Sequence, residues 1–127
     1  MASPARRRVL IIDDDADVAT ATQRVMEHAG YDTRVASSAL NGLELARHSP
    51  PDVVLLDLNM PTFDGFDAVH VLRTEPSTRD AVVVAFSGVL AGHDTKRLQR
   101  MGFDHILPKP VEPAELVKRI AKYLRAR

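Results

Sequence analysis

Three consecutive aspartates, Asp13, Asp14 and Asp15, follow directly on the aliphatic run Val-Leu-Ile-Ile. Like charges a few ångströms apart repel by roughly 4 kcal/mol per pair at an effective dielectric of about 20, so an opposing charge is expected nearby. Further along, Asp57 closes a second apolar run and is followed two residues later by Asn59. Ser87-Gly88 closes a third, and Lys109 lies between two prolines near the carboxyl end. Carboxylates clustered without His or Cys prefer a hard, oxygen-binding cation, Mg2+ before Zn2+. A lysine and a hydroxyl suit the oxygens of a phosphoryl group. Together these residue types describe a Mg2+-plus-phosphoryl site in which one aspartate could be the nucleophile.

Such residues can meet only if the chain brings the ends of several strands together, and its pattern does so. The runs at 8–12, 52–57 and 81–86 are apolar without alternation inside the charged ends Arg8, Asp52 and Asp57, as expected of strands covered on both faces. Shorter strands are expected at 33–36 and 105–107. Helices are expected between them: one carrying Val18, Thr22, Val25, Met26 and Ala29 on its apolar side and closed by Gly30, one over 39–48 capped by Ser37 or Ser38 and stopped by Pro50-Pro51, and others over 66–73, 93–101 and 114–125. Asp15 reads as a turn or cap residue, and Asp64-Gly65 as a turn. Five alternating βα units argue for one α/β domain built on a parallel sheet with helices on both faces. In such sheets ligands gather beyond the carboxyl ends of the strands, where all the residues above fall.

Composition narrows the function classes. Cysteine is absent, which excludes disulfides, thiolate metal sites and a thiol nucleophile. No apolar run reaches the roughly 20 residues of a membrane span, and no signal-peptide core is visible, so a soluble cytoplasmic protein is expected. The formal net charge is zero, which argues against nucleic acid as a partner of this chain alone. Yet residues 1–95 hold 8 Lys/Arg and 14 Asp/Glu, whereas residues 96–127 hold 9 and 3. The basic last helix is most simply the solvated face of an amphipathic helix, with a partner surface as the second reading. Residues 1–7 read as a flexible basic leader ahead of a domain over 8–127, with Arg6-Arg7-Arg8 spanning the boundary. The five histidines show no metal-ligand spacing. His28, His48, His70 and His93 read as surface residues, and His105 has no clear role.

The segments I-I-D-D-D, L-L-D-L-N-M-P-T-F-D-G, A-F-S-G and L-P-K-P occur in the order and spacing of a known family. From about Val9 to Leu124 the chain resembles the receiver domains of bacterial two-component response regulators, including stand-alone chemotaxis regulators, and the K-P-V-E-P-A-E-L stretch is similar to receivers of hybrid sensor kinases. The resemblance implies a flavodoxin-like strand order 2-1-3-4-5. It implies that Asp57 accepts a phosphoryl group from a sensor histidine kinase or a histidine phosphotransfer protein. Asp14, Asp57 and the backbone carbonyl of Asn59 would hold Mg2+ (or Mn2+), with Asp13 acting through water. Ser87 would take the switch hydroxyl position, Gly88 would leave room for the donor or an attacking water, and Lys109 would pair with the phosphoryl. The Lys109–Pro110 bond would be cis. Where the family carries a switch aromatic this chain has Ile106, so His105 or the segment 89–93 is the expected substitute. The output would come from a partner or from a longer polypeptide of which this is a piece, and the receiver would be a monomer or weak dimer. Two alternatives are an Asp-nucleophile phosphatase, which would need an acid where Asn59 stands, and a degenerate receiver that binds proteins without phosphorylation.

Overall fold

The structure is a computed structural model that describes residues 6–58, 60, 65–88 and 95–126. Strands and helices alternate: β1 (Arg8–Ile12), α1 (Ala16–His28), β2 (Asp32–Ala36), α2 (Ala39–His48), β3 (Val53–Leu56), α3 (Gly65–Thr74), β4 (Val82–Ser87), α4 (Thr95–Met101), β5 (His105–Pro108) and α5 (Pro113–Arg125). All five strands are parallel, in the order β2-β1-β3-β4-β5. Among the described residues no helix is long and apolar enough to cross a membrane.

The continuously apolar runs are explained by two cores, one on each side of the sheet. Alternate residues of the central strands point to opposite faces. Leu10, Ile12, Val54, Leu56, Val83 and Ala85 pack under α2, α3 and α4 with Leu43, Leu72, Leu98 and Phe103. Val9, Ile11, Val53, Leu55, Val84 and Phe86 pack under α1 and α5 with Met26, Leu116 and Ile120. A strand with both faces buried has no polar face to display, hence the absence of alternation.

Local signals place the element ends. Asp15 caps α1, its side chain accepting from the backbone N–H groups of Asp17 and Val18 at 3.1 and 3.2 Å. Ser38 caps α2 by accepting from Asn41. Gly30 leaves α1 with a φ of 101°, a conformation that a side chain would strain. Two expectations need correction. Ala29 is the exposed C-cap of α1, and Ala19 is buried in that helix along with Thr22 and Met26. Strand β4 runs on through Ser87, because the sheet extends to the Ser87–Pro108 pair. The expected helix start at 93 and the turn at Asp64 lie outside the described residues.

Candidate phosphoacceptor site

The hydrogen-bonded ladder of the sheet reaches one residue past three of its strands, and those residues are the charged ones. The backbone N–H of Asp13 donates to the Ala36 carbonyl at 3.0 Å, that of Asp57 to Ile12 at 3.0 Å, and that of Lys109 to Ser87 at 3.1 Å. Each side chain is therefore fixed by the sheet rather than by a loop. A cavity of about 480 Å3 opens at this carboxyl edge, lined by the acidic triplet, Val18, Asp57, Ser87, Gly88 and Lys109. Every described residue singled out for the pocket, Ile106 excepted, meets there.

The charges are ordered by burial. Asp13 is 2% exposed, Asp57 7% and Ser87 0%, whereas Asp14 is exposed. Lys109 donates from Nζ to Oδ2 of Asp13 and lies 3.9 Å from Oδ2 of Asp57. Asp13 also accepts from the Asp15 backbone N–H at 2.9 Å, through Oδ1. Burial pushes the Asp13 carboxyl above its ordinary range. The hydrogen bonds from Lys109 and Asp15 oppose that shift, and the Asp57 charge adds to it. Carboxylate oxygens of Asp13, Asp14 and Asp57 lie within 4.8 Å of one another. Three hard oxygen donors with one exposed member suit a cation that keeps part of its water shell, as Mg2+ or Mn2+ does. The Asn59 carbonyl lies outside the described residues.

Two contributors carried no sequence signal. Val18 forms one wall of the cavity from the first turn of α1. Phe86 holds its ring 5.2 Å (centroid) from Lys109 Nζ, where a cation is attracted to an aromatic face. Among the described residues, a Cβ added at Gly88 would meet no atom within 4 Å. The Lys109–Pro110 peptide is cis, as expected. Ile106 is half-buried against the α4-side core, whereas His105 faces the other way and stacks on Tyr123 of α5, with centroids 3.8 Å apart. Ile106 and His105 thus occupy opposite faces of β5, and the 89–93 segment lies outside the described residues.

Comparison with known proteins decides the family. The response regulator receiver domain matches residues 9–121. This chain belongs to that family. The receiver is 34% identical over 120 residues to the DNA-binding response regulator MtrA of Mycobacterium tuberculosis, an alignment covering 94% of this chain and 51% of MtrA. The chain thus spans about half the length of the curated relatives it matches first. A putative response regulator of Chloroflexus aurantiacus superposes with a TM-score of 0.83 at 31% identity, covering 97% of this receiver and 100% of that chain. Chemotaxis protein CheY4 of Vibrio cholerae superposes with a TM-score of 0.88 at 24% identity, covering 94% and 99%, and shares the fold.

Proposed function

We propose that this receiver is a phosphorylation switch whose acceptor is Asp57. The observation that carries the reading is the meeting of three carboxylates with Lys109 in one cavity at the sheet's carboxyl edge. The donor is a phosphohistidine of a sensor histidine kinase or a histidine phosphotransfer protein. An Asp57 carboxylate oxygen bonds to phosphorus while the phosphorus–nitrogen bond of the donor breaks, the electron pair remaining on the imidazole. Such transfers need positioning and charge neutralisation more than covalent help from the protein. Asp14, Asp57 and the Asn59 carbonyl, with Asp13 acting through water, would hold Mg2+ (or Mn2+), which would supply neutralising charge. Lys109 changes partner, from Asp13 to the incoming phosphoryl oxygens, and the Ser87 hydroxyl donates to the same group. Gly88 leaves the approach open to the donor and later to water. The added charge biases the conformation around Ser87 and β5 and is read by an output partner. In this role the receiver is a cytoplasmic phosphoprotein of a phosphorelay rather than an enzyme with a turnover substrate.

The test is incubation with acetyl phosphate and Mg2+, followed by intact-mass measurement. Wild type should gain one phosphoryl mass, and Asp57→Asn or wild type without divalent cation should gain none. Equal behaviour of wild type and Asp57→Asn would leave only a phosphorylation-independent binding module.

A further inference from the structure

Lys109 must serve two partners in turn while its backbone stays pinned to the Ser87 carbonyl at 3.1 Å. Its ammonium donates to Asp13, lies 3.9 Å from Oδ2 of Asp57, and stands 5.2 Å from the centre of the Phe86 ring. The sheet brings the ring there. Phe86 and Leu107 are partners across β4 and β5 and belong to the core under α1 and α5, as do Ile11 and Leu55. Leu107, Ile11 and Leu55 stand two residues before Lys109, Asp13 and Asp57. Strand alternation therefore brings all three charged side chains out on the face that Phe86 occupies. Phe86 is 4% exposed and is the last residue of β4 in that core. The ring and the lysine stem also wall a small cavity of about 240 Å3, with Val18, Thr22, Pro110 and Leu116. The Thr22 hydroxyl there is engaged with the Val18 carbonyl at 2.8 Å. Lys109 thus borders two cavities, one lined by carboxylates and one walled mainly by ring and alkyl groups.

We propose that Phe86 is a positioning residue for phosphoryl transfer, its ring keeping the Lys109 ammonium within the cavity as that ammonium exchanges Asp13 for the phosphoryl oxygens. The inference rests on the reading of Asp57 as acceptor. A hydrogen bond to a carboxylate is directional, and the ammonium loses it on turning toward an incoming group. Attraction to an aromatic face is broader and persists anywhere within about 6 Å of the ring centroid. The ring can therefore hold the charge throughout the exchange. Leucine at position 86 would still pack against the lysine stem but offers no negative face. The ammonium would then depend on Asp13 alone, and the exchange would slow. Phe86 acts through Lys109 rather than on the phosphoryl group itself.

The experiment places mono-, di- and trifluorophenylalanine at position 86 of the whole chain. Ring fluorination drains the negative face while leaving the size of the ring nearly unchanged. Phosphorylation by acetyl phosphate with Mg2+ is followed by intact mass, beside urea unfolding of each protein. The rate should fall stepwise with the number of fluorines, to about fivefold below wild type, with unfolding midpoints constant. A second readout needs neither metal nor phosphoryl group. In metal-free protein the ring current should move the Lys109 ε-methylene protons upfield of those of the exposed Lys96, Lys118 and Lys122, and Phe86→Leu should abolish that difference. Equal rates across the fluorinated series, or a Lys109 signal that Phe86→Leu leaves unmoved, would overturn the positioning role. A wild type that gains no phosphoryl mass would instead overturn the acceptor reading beneath it, while the metal-free spectra still report the ring contact.

Discussion

Replacing Lys109 by methionine keeps the side-chain stem and removes the one cation that, among the described residues, touches Asp13. Lys109 lies 3.9 Å from Asp57, where attraction amounts to about 4 kcal/mol at an effective dielectric of about 20. The contact with Asp13 is closer. Without the lysine, two carboxylates within 4.8 Å repel by about 3.5 kcal/mol on the same scale. Removing one member of a buried pair typically costs about 3–5 kcal/mol. Lys109 is only 17% exposed and Asp13 2%, so solvent screening is weak. Metal-free Lys109→Met should therefore lose about 3–4 kcal/mol in urea unfolding. At saturating Mg2+ the divalent ion takes over the lysine's electrostatic role, and the loss should shrink to about 1–2 kcal/mol, the part owed to the Phe86 contact and packing. By linkage, a recovery of about 2 kcal/mol appears as a roughly thirty-fold fall in the Mg2+ dissociation constant. Unfolding curves with and without Mg2+, together with a direct Mg2+ titration, check both numbers. An equal stability loss in the two conditions, or Mg2+ binding no tighter than wild type, would refute the reasoning.

Three further outcomes are expected. Asp14→Ala should lose the Mg2+ stabilisation that wild type shows, about 2.7 kcal/mol at a hundred-fold excess over the dissociation constant, as read by thermal unfolding. Arg73 donates to the carbonyls of Gly102, Arg79 and Ala81 and to Asp104 at 2.6–3.0 Å. Arg73→Ala should cost about 2–4 kcal/mol in urea unfolding, and Arg73→Lys should recover less than half, because an ammonium lacks the fork. A loss below about 0.5 kcal/mol would show that water replaces the guanidinium. Burial lowers the His105 imidazole below its ordinary 6.5, while Asp104 opposes the shift and is itself held by Arg73. The unfolded chain therefore takes up this proton first. The stability His105 contributes is complete above 6.5 and declines as pH falls from 6.5 toward the lowered folded value. His105→Phe, which keeps a ring against Tyr123, should flatten that decline, and an identical pH profile would contradict it.

The order of strands and helices was legible in the sequence because both faces of the sheet are buried, which turns strands into unbroken apolar runs. The site was legible for a related reason. A charged residue directly after such a run must emerge at the carboxyl edge, so Asp13, Asp57 and Lys109 could be placed without knowing any contact. What stayed hidden depends on partners distant in sequence. Arg73 looks like an ordinary basic residue near a helix end, and only the folded chain brings it to Gly102 and Asp104. Gly42 reads as a weak helix former. In the fold, a Cβ there would lie 2.4 Å from Ile12 Cδ1, so the glycine lets α2 approach the strand that leads into Asp13. The parity of β5 turns His105 toward α5 and Ile106 toward α4, and neither neighbour could be named from spacing alone.

The central claim is that the Asp57 carboxylate becomes an acyl phosphate. Borohydride reduces an acyl phosphate to an alcohol and leaves a free carboxylate untouched. Treatment of the acetyl phosphate- and Mg2+-incubated receiver, followed by peptide sequencing by mass spectrometry, should find homoserine at position 57 and aspartate at 13, 14 and 15. Homoserine at any of those three positions, or unreduced aspartate at 57 in protein that has gained a phosphoryl mass, would contradict the account.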